Sequence, residues 1–201
     1  MTMTESAFTS TSATLLDTAE ARDSCFSVVN RVGAYWASLP KTGLAPDRML
    51  VDARAWSDVL APVCLAELVT PRVARGRIVG HRIEELTGLD MRGMPLTTLF
   101  AGAARQEIML ACEQVSRGAR VTLSLQGEEG FGRPQLEGMM ALMPLCDSKG
   151  RISRVLGVIC QKGEVGRTPR RFGLAAPQAL PEPEQHPTKT PFLRVINGGK
   201  A

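Results

Sequence analysis

Residues 77–88 read RIVGHRIEELTG, a sequence that predicts the end of a strand followed by a short helix. Its first residues complete a predicted strand, Val73–Val79. A short helix follows and closes at Gly88, a residue type that commonly ends helices. A Pro-Arg turn separates this strand from an earlier one, Val63–Val69. The stretch therefore predicts a β-hairpin that runs directly into helical structure.

Downstream of this hairpin, the sequence predicts one longer helix and three more strands. Residues 102–117 place apolar side chains on one helical face. Residues 121–125 alternate apolar and polar side chains, as a half-buried strand does. Two largely apolar strands, 136–145 and 152–160, are joined by a turn at 147–150. This order predicts an α+β domain with a single antiparallel sheet.

A further helix is predicted before the hairpin, over Asp23–Leu39. Its apolar residues recur at spacings of four, three, four and three, which places them on one face. They are Cys25, Val29, Val32, Trp36 and Leu39. This seam is expected to pack on the chain's own sheet or to pair with a second subunit in a homodimer, and both arrangements can hold at once.

The two ends of the chain have a different composition from its middle. Residues 1–20 are polar and are predicted to be disordered, and the folded domain is expected over 21–162. Residues 163–201 hold 6 of the 13 prolines and are predicted to be mostly disordered. Within them, the apolar segment 191–196 is expected to be a short binding motif or a strand that docks back.

Charge and hydropathy exclude several classes of protein. The net charge is −2 over residues 1–150 and +6 over 151–201, so no broad basic face for nucleic acid is predicted. No apolar run approaches the roughly 20 residues of a membrane span. The N-terminus does not have the pattern of a secretory signal. A cytoplasmic location is expected.

Three local motifs support a family assignment. The opening stretch 77–88, the "G-x-x-L-x-x-L-F" pattern at 93–100 and the hairpin 144–157 resemble passages of the PAS fold. Residues 35–46 are similar to the start of a bacterial PAS-like family formerly catalogued as a domain of unknown function. The resemblance covers residues 30–162. It implies a five-stranded antiparallel sheet in the order 2-1-5-4-3, covered on one face by helices, plus the N-terminal helix.

PAS domains bind haem, flavin, small metabolites or only protein partners, so the resemblance does not choose a ligand. Haem is not expected, because no histidine occurs between 102 and 117 and His81 is interpreted as a capping or surface residue. Flavin is not expected, because the Asn-Cys-Arg motif of flavin photosensors is absent. The five cysteines lack the spacing of a zinc site. No cofactor or metal is identified.

A set of mostly apolar residues is expected between the sheet and the helices. They are predicted to line an adaptable cavity for a small apolar ligand, or else to form a filled core. The set is Met94, Phe100, Ile108, Cys112, Leu123, Met139, Met143 and Leu156.

These observations favour a stand-alone sensory or regulatory module of bacterial signal transduction over an enzyme. The chain has 2 histidines and no recognisable catalytic constellation. The expected partner is a signalling protein such as a histidine kinase or a response regulator. The alternatives are an enzyme on a PAS-like scaffold and a nucleic-acid adaptor. The adaptor would use the basic segment Arg167–Arg171, which is otherwise interpreted as a solvated linker.

Overall fold

The computed structural model describes residues 27–41 and 43–175, which form a single antiparallel sheet with helices on both faces. The predictions for residues 1–20, Cys25 and segment 191–196 lie outside this range. In chain order the elements are α1 (described over 27–38), β1 (Val63–Thr70), β2 (Val73–Val79), α2 (His81–Thr87), α3 (Ala104–Ser116), β3 (Val121–Gly127), β4 (Glu137–Cys146), β5 (Ile152–Lys162) and β6 (Phe172–Leu174). Three 3-10 turns lie at Arg48–Leu50, Ala53–Val59 and Leu96–Leu99.

The strands lie in the order β2-β1-β5-β4-β3-β6. The first five confirm the predicted order 2-1-5-4-3, but the sheet has six strands and not the predicted five. The added strand β6 pairs with Leu125–Gly127 of β3 and belongs to the segment predicted to be mostly disordered. Its three residues are too few to show the two-residue alternation by which strands are recognised in a sequence.

Turn chemistry fixes two of the connections around the sheet. Helix α2 ends at Gly88, whose φ of +64° is left-handed and whose N–H donates to the Glu84 carbonyl at 2.7 Å. In the β4–β5 hairpin, an Asp147 carboxylate oxygen accepts from the backbone N–H groups of Lys149 and Arg151 at 2.9 and 3.0 Å. Both features lie where the sequence predicts a helix end and a hairpin turn.

Strand β4 divides the core into two layers because its side chains alternate between the faces of the sheet. Met140 and Leu142 point toward α2 and α3 and belong to one buried cluster. Met139 and Met143 point to the opposite face and belong to a second cluster. We call these the inner face and the outer face, respectively. Every residue of β4 from 139 to 146 is buried, so both faces must be covered.

Helix α1 covers the outer face. Val29, Val32 and Trp36 are buried there, and the Trp36 indole N–H donates to the Pro144 carbonyl at 2.8 Å. These residues of the seam therefore pack on the chain's own sheet, while Leu39 is half-buried. A second subunit would meet the opposite side of α1. The Tyr35 hydroxyl accepts a hydrogen bond from the Asp52 N–H at 2.6 Å, which connects α1 to the segment between α1 and β1.

Truncation of Trp36 should detach α1 from the outer face. Trp36→Ala is expected to lower the free energy of unfolding by about 3–5 kcal/mol, because it removes a large buried side chain. Trp36→Phe should cost about 1–2 kcal/mol, because the Pro144 carbonyl loses its donor. Urea unfolding measures both. Met49→Ala is the control, since Met49 is 78% exposed, and an equal loss in Trp36→Ala and Met49→Ala would contradict this packing.

Candidate functional site

The candidate site is the inner face of the sheet, where α2 and α3 enclose the core. Four of the predicted lining residues meet there. Phe100, Ile108 and Cys112 are buried in the inner cluster, and half-buried Leu123 packs against it. Phe100 ends the last 3-10 turn, whereas Ile108 and Cys112 are one helical turn apart on α3. These four positions agree with the expected placement between sheet and helices.

Three other predicted residues lie on the opposite side of the sheet, which corrects the predicted set. Met139, Met143 and Leu156 belong to the outer cluster beneath α1, and Met143 is directly paired with Leu156 across β4 and β5. The sequence could not assign their face by alternation, because β4 is apolar on both sides. The register does so, since Leu123 on β3 pairs with Met140 and not with Met139.

Met94 lies apart from both clusters. It is 38% exposed, and its carbonyl accepts from the Gly76 N–H at 3.0 Å along the edge of β2. The predicted lining set is therefore divided among the inner face, the outer face and the surface. A single cavity lined by all eight residues does not form.

The chain's own side chains fill the inner face. Its largest apolar side chains are almost completely buried: Ile83, Leu86, Met91, Leu99, Phe100, Ile108, Leu125, Leu136, Met140, Leu142 and Phe172. Sequence analysis missed Phe172, which comes from β6 and forms a parallel bridge with Phe100. The burial of these side chains favours the filled core over the ligand cavity.

A buried arginine lies next to Phe172. Arg170 is 0% exposed, and its guanidinium donates to the carbonyls of Val165 at 2.9 Å and Pro134 at 2.8 Å. Burial, with a smaller contribution from the charge of Arg133, lowers the pKa of Arg170. Its Nε has no hydrogen-bond partner among residues 27–41 and 43–175. Arg170 is thus no part of a solvated linker, although Arg167 and Arg171 are exposed.

An open cleft lies beside strand β6. It has a volume of about 590 Å³ and lies between the N-terminus of α3 and the β3–β6 edge. Its polar side chains are Glu107, Gln126 and Glu128, all exposed. The remaining lining is Ala101, Gly102, Ala103, Ala104, Gly173 and Leu174.

His81 and the buried cysteines, which the sequence analysis considered and did not assign to a cofactor, lie in different surroundings. His81 is exposed at the first position of α2. Burial raises the pKa of the Cys64 thiol to about 12 and that of Cys112 to about 11. Within the described part of the chain, no group of three or more His, Cys, Asp or Glu side chains is placed to hold a metal ion.

In the part of the chain that the structure describes, the outer face is exposed beyond α1, on the side of β2. There Ile78 is 66% exposed and pairs with half-buried Leu65. The Glu67 carboxylate accepts from Arg77 Nε at 2.6 Å and from Arg154 Nη1 at 2.9 Å. These hydrogen bonds, chiefly that from Arg77, lower the pKa of Glu67. We call Ile78, Arg77, Glu67 and Arg154 the β2 patch.

Comparison with known families now decides the assignment. A family model described as a PAS domain matches residues 26–160. The chain belongs to the PAS domain family. The matched region of this PAS chain includes the buried residues of both clusters except Phe172, because it ends before Arg170 and β6. Phe172, which packs in the inner cluster beside Phe100, therefore lies outside the matched region.

Among solved structures, this PAS chain is similar to the dark structure of the blue-light photoreceptor Aureochrome1 LOV, with 20% identity over 59% of this chain and 86% of that chain, and a TM-score of 0.43. It is also similar to the light-state structure, with 18% identity, 57% and 91% coverage, and a TM-score of 0.41. Comparison with curated proteins gave no match. No helix in the described ranges is long and apolar enough to span a bilayer.

The two deeply buried thiols should be inert in the folded protein. At about pH 8, iodoacetamide is expected to leave Cys64 and Cys112 unmodified, because alkylation needs an accessible thiolate and both pKa values are raised. Both should be alkylated in urea. Peptide mapping by mass spectrometry measures the labelling, and modification of either cysteine in the folded chain at the urea rate would contradict its burial.

Proposed function

We propose that this PAS chain is a regulatory module that acts by contacting a signalling protein, such as a histidine kinase or a response regulator, in bacterial signal transduction in the cytoplasm. The observation that supports it most is the contrast between the two faces of the sheet. The inner face is filled by the chain's own side chains, whereas the β2 patch stays exposed. The proposal assigns no catalytic step to the chain.

The chemistry of the β2 patch fits a partner with an acidic rim. Its exposed Ile78 supplies an apolar anchor of the kind that dominates binding energy when a partner covers it. Two arginines share the single carboxylate of Glu67, so the patch keeps a net positive charge. Complementary charge on a partner would raise the association rate and favour one orientation.

The β2 patch is also connected to the central strands through strand pairing. Its strand β2 pairs with β1, which pairs in turn with the central strand β5. A partner that binds one conformation of this sheet more tightly than another shifts the population toward it. We therefore propose that the module transmits its conformational state to a partner through contact at the β2 patch.

Binding of purified histidine kinases and response regulators from the same organism to the immobilised full chain tests the proposal. Ile78→Glu should weaken the Kd about tenfold or more, because it places a carboxylate in the apolar contact. Arg77→Glu should slow association and reduce its salt dependence. Phe131→Glu is the matched control, since Phe131 is 94% exposed on the β3–β4 loop. Wild-type chain that binds none of them, or an Ile78→Glu chain that binds equally well, would overturn the proposal.

A further inference from the structure

The segment after the last matched strand closes the core as a strap, which we define as residues 163–175. It crosses from the end of β5 to the free edge of β3. Its Phe172 is 0% exposed in the inner cluster, next to Phe100. The strap therefore supplies part of the core, although it lies beyond the region that matches the PAS family.

Hydrogen bonds to several loops and one short strand pairing hold the strap to the rest of the domain. The Ala101 N–H donates to the Phe172 carbonyl at 3.0 Å, and the Glu128 N–H donates to the Arg171 carbonyl at 2.8 Å. The Arg170 N–H donates to the Leu86 carbonyl at 2.8 Å. The Arg167 N–H donates to the Gly132 carbonyl at 2.6 Å, the Ala175 N–H donates to the Ser124 carbonyl at 3.0 Å, and the Arg170 guanidinium donates to the Pro134 carbonyl at 2.8 Å. Strand β6 pairs with three residues of β3, whereas the ladder between β4 and β5 pairs ten residues of β4.

Two opposing contributions act on the closed strap. Burial of the Phe172 ring favours closure, because apolar surface leaves water. Burial of the Arg170 guanidinium opposes it, because the charge loses its hydration and Nε gains no partner. The structure places no carboxylate within salt-bridge distance of Arg170 among the described residues. Opening returns Arg170 to water while it exposes Phe172, so the two contributions to the free energy of opening offset each other in part.

Two glycines in the first part of the strap have left-handed backbone conformations. Gly163 and Gly166 both have positive φ, +104° and +61°, and a Cβ at either would lie within 2.7 Å of a neighbouring backbone oxygen. The first is where the chain leaves β5, and the second lies against the β3–β4 loop. At its other end, the strap continues into residues 176–201.

We propose that the strap opens as a unit while the remaining sheet stays folded, and that this opening is the switch of the module. Opening withdraws Phe172 from the core and frees the edge of β3, to which an extended segment of a partner can add. It also changes the position from which residues 176–201 leave the domain. The inference rests on the proposed function only for the purpose of the switch; the opening itself is a property of the fold.

Amide hydrogen exchange of the full chain tests the proposal. The amides of Ala101 and Glu128 report on the strap, and the amide of Ile159, which donates to the Pro62 carbonyl at 2.9 Å, reports on the central sheet. In the wild type, the first two should share one opening rate, about 100-fold or more above that of Ile159. Equal rates at all three amides would show that the strap opens only with global unfolding and would overturn the proposal.

Two pairs of variants separate the effect of the Phe172 ring on strap opening from the effect of the Arg170 charge. Phe172→Ala should raise the ratio of Ala101 to Ile159 exchange about tenfold or more, whereas the matched control Phe131→Ala should leave it unchanged. Phe172→Leu should raise it less, which keeps the test usable if Phe172→Ala does not fold. Arg170→Met should lower the ratio relative to Arg171→Met, because it removes a buried charge that is hydrogen-bonded to backbone carbonyls and not to a carboxylate. An increase in Arg170→Met would overturn the proposal.

Failure of this inference and failure of the proposed function give different results. A strap that opens only with global unfolding leaves partner binding at the β2 patch untouched, because the two regions lie at opposite edges of the sheet. Loss of partner binding in the immobilised-chain assay, with normal strap opening, would overturn the proposed function alone.

Discussion

The structure depends on one constraint, the burial of strand β4 on both faces. From 139 to 146 every residue of this strand is buried, so its sheet is stable only with a layer on each side. Helix α1 supplies the outer layer through Trp36, and α2 with α3 supplies the inner one. The position of each functional surface follows from this arrangement, because α1 covers β1, β4 and β5 and leaves β2 exposed.

The inner layer is incomplete without the segment that follows the PAS-matched region. Phe172 fills the inner face beside Phe100, and the neighbouring Arg170 is enclosed with it. An apolar closure and a buried charge thus occur within three residues of each other. Burial of the first stabilises the closed strap and burial of the second opposes it, which is why we propose that this edge of the sheet opens locally.

The sequence was informative where one element has one buried face, and uninformative where it has two. The bounds of β2 were predicted in full, and the ends of α2 and α3 within a few residues, because glycines and apolar periodicity mark them. The face of Met143 could not be predicted, because both sides of β4 are apolar. Arg170 was misassigned because its charge predicts exposure, and only tertiary packing encloses it. Strand β6 carries too few residues for any pattern.

We propose that the module works through protein contact and that its own side chains occupy its interior. The decisive measurement is native mass spectrometry of the chain purified from its own host, with an absorbance spectrum of the same sample. We expect the mass of the unliganded polypeptide, free or together with a partner protein, and no absorbance band in the visible range. A stoichiometric small molecule bound to the folded chain, or a visible chromophore, would show that the interior holds a ligand and would refute the proposal.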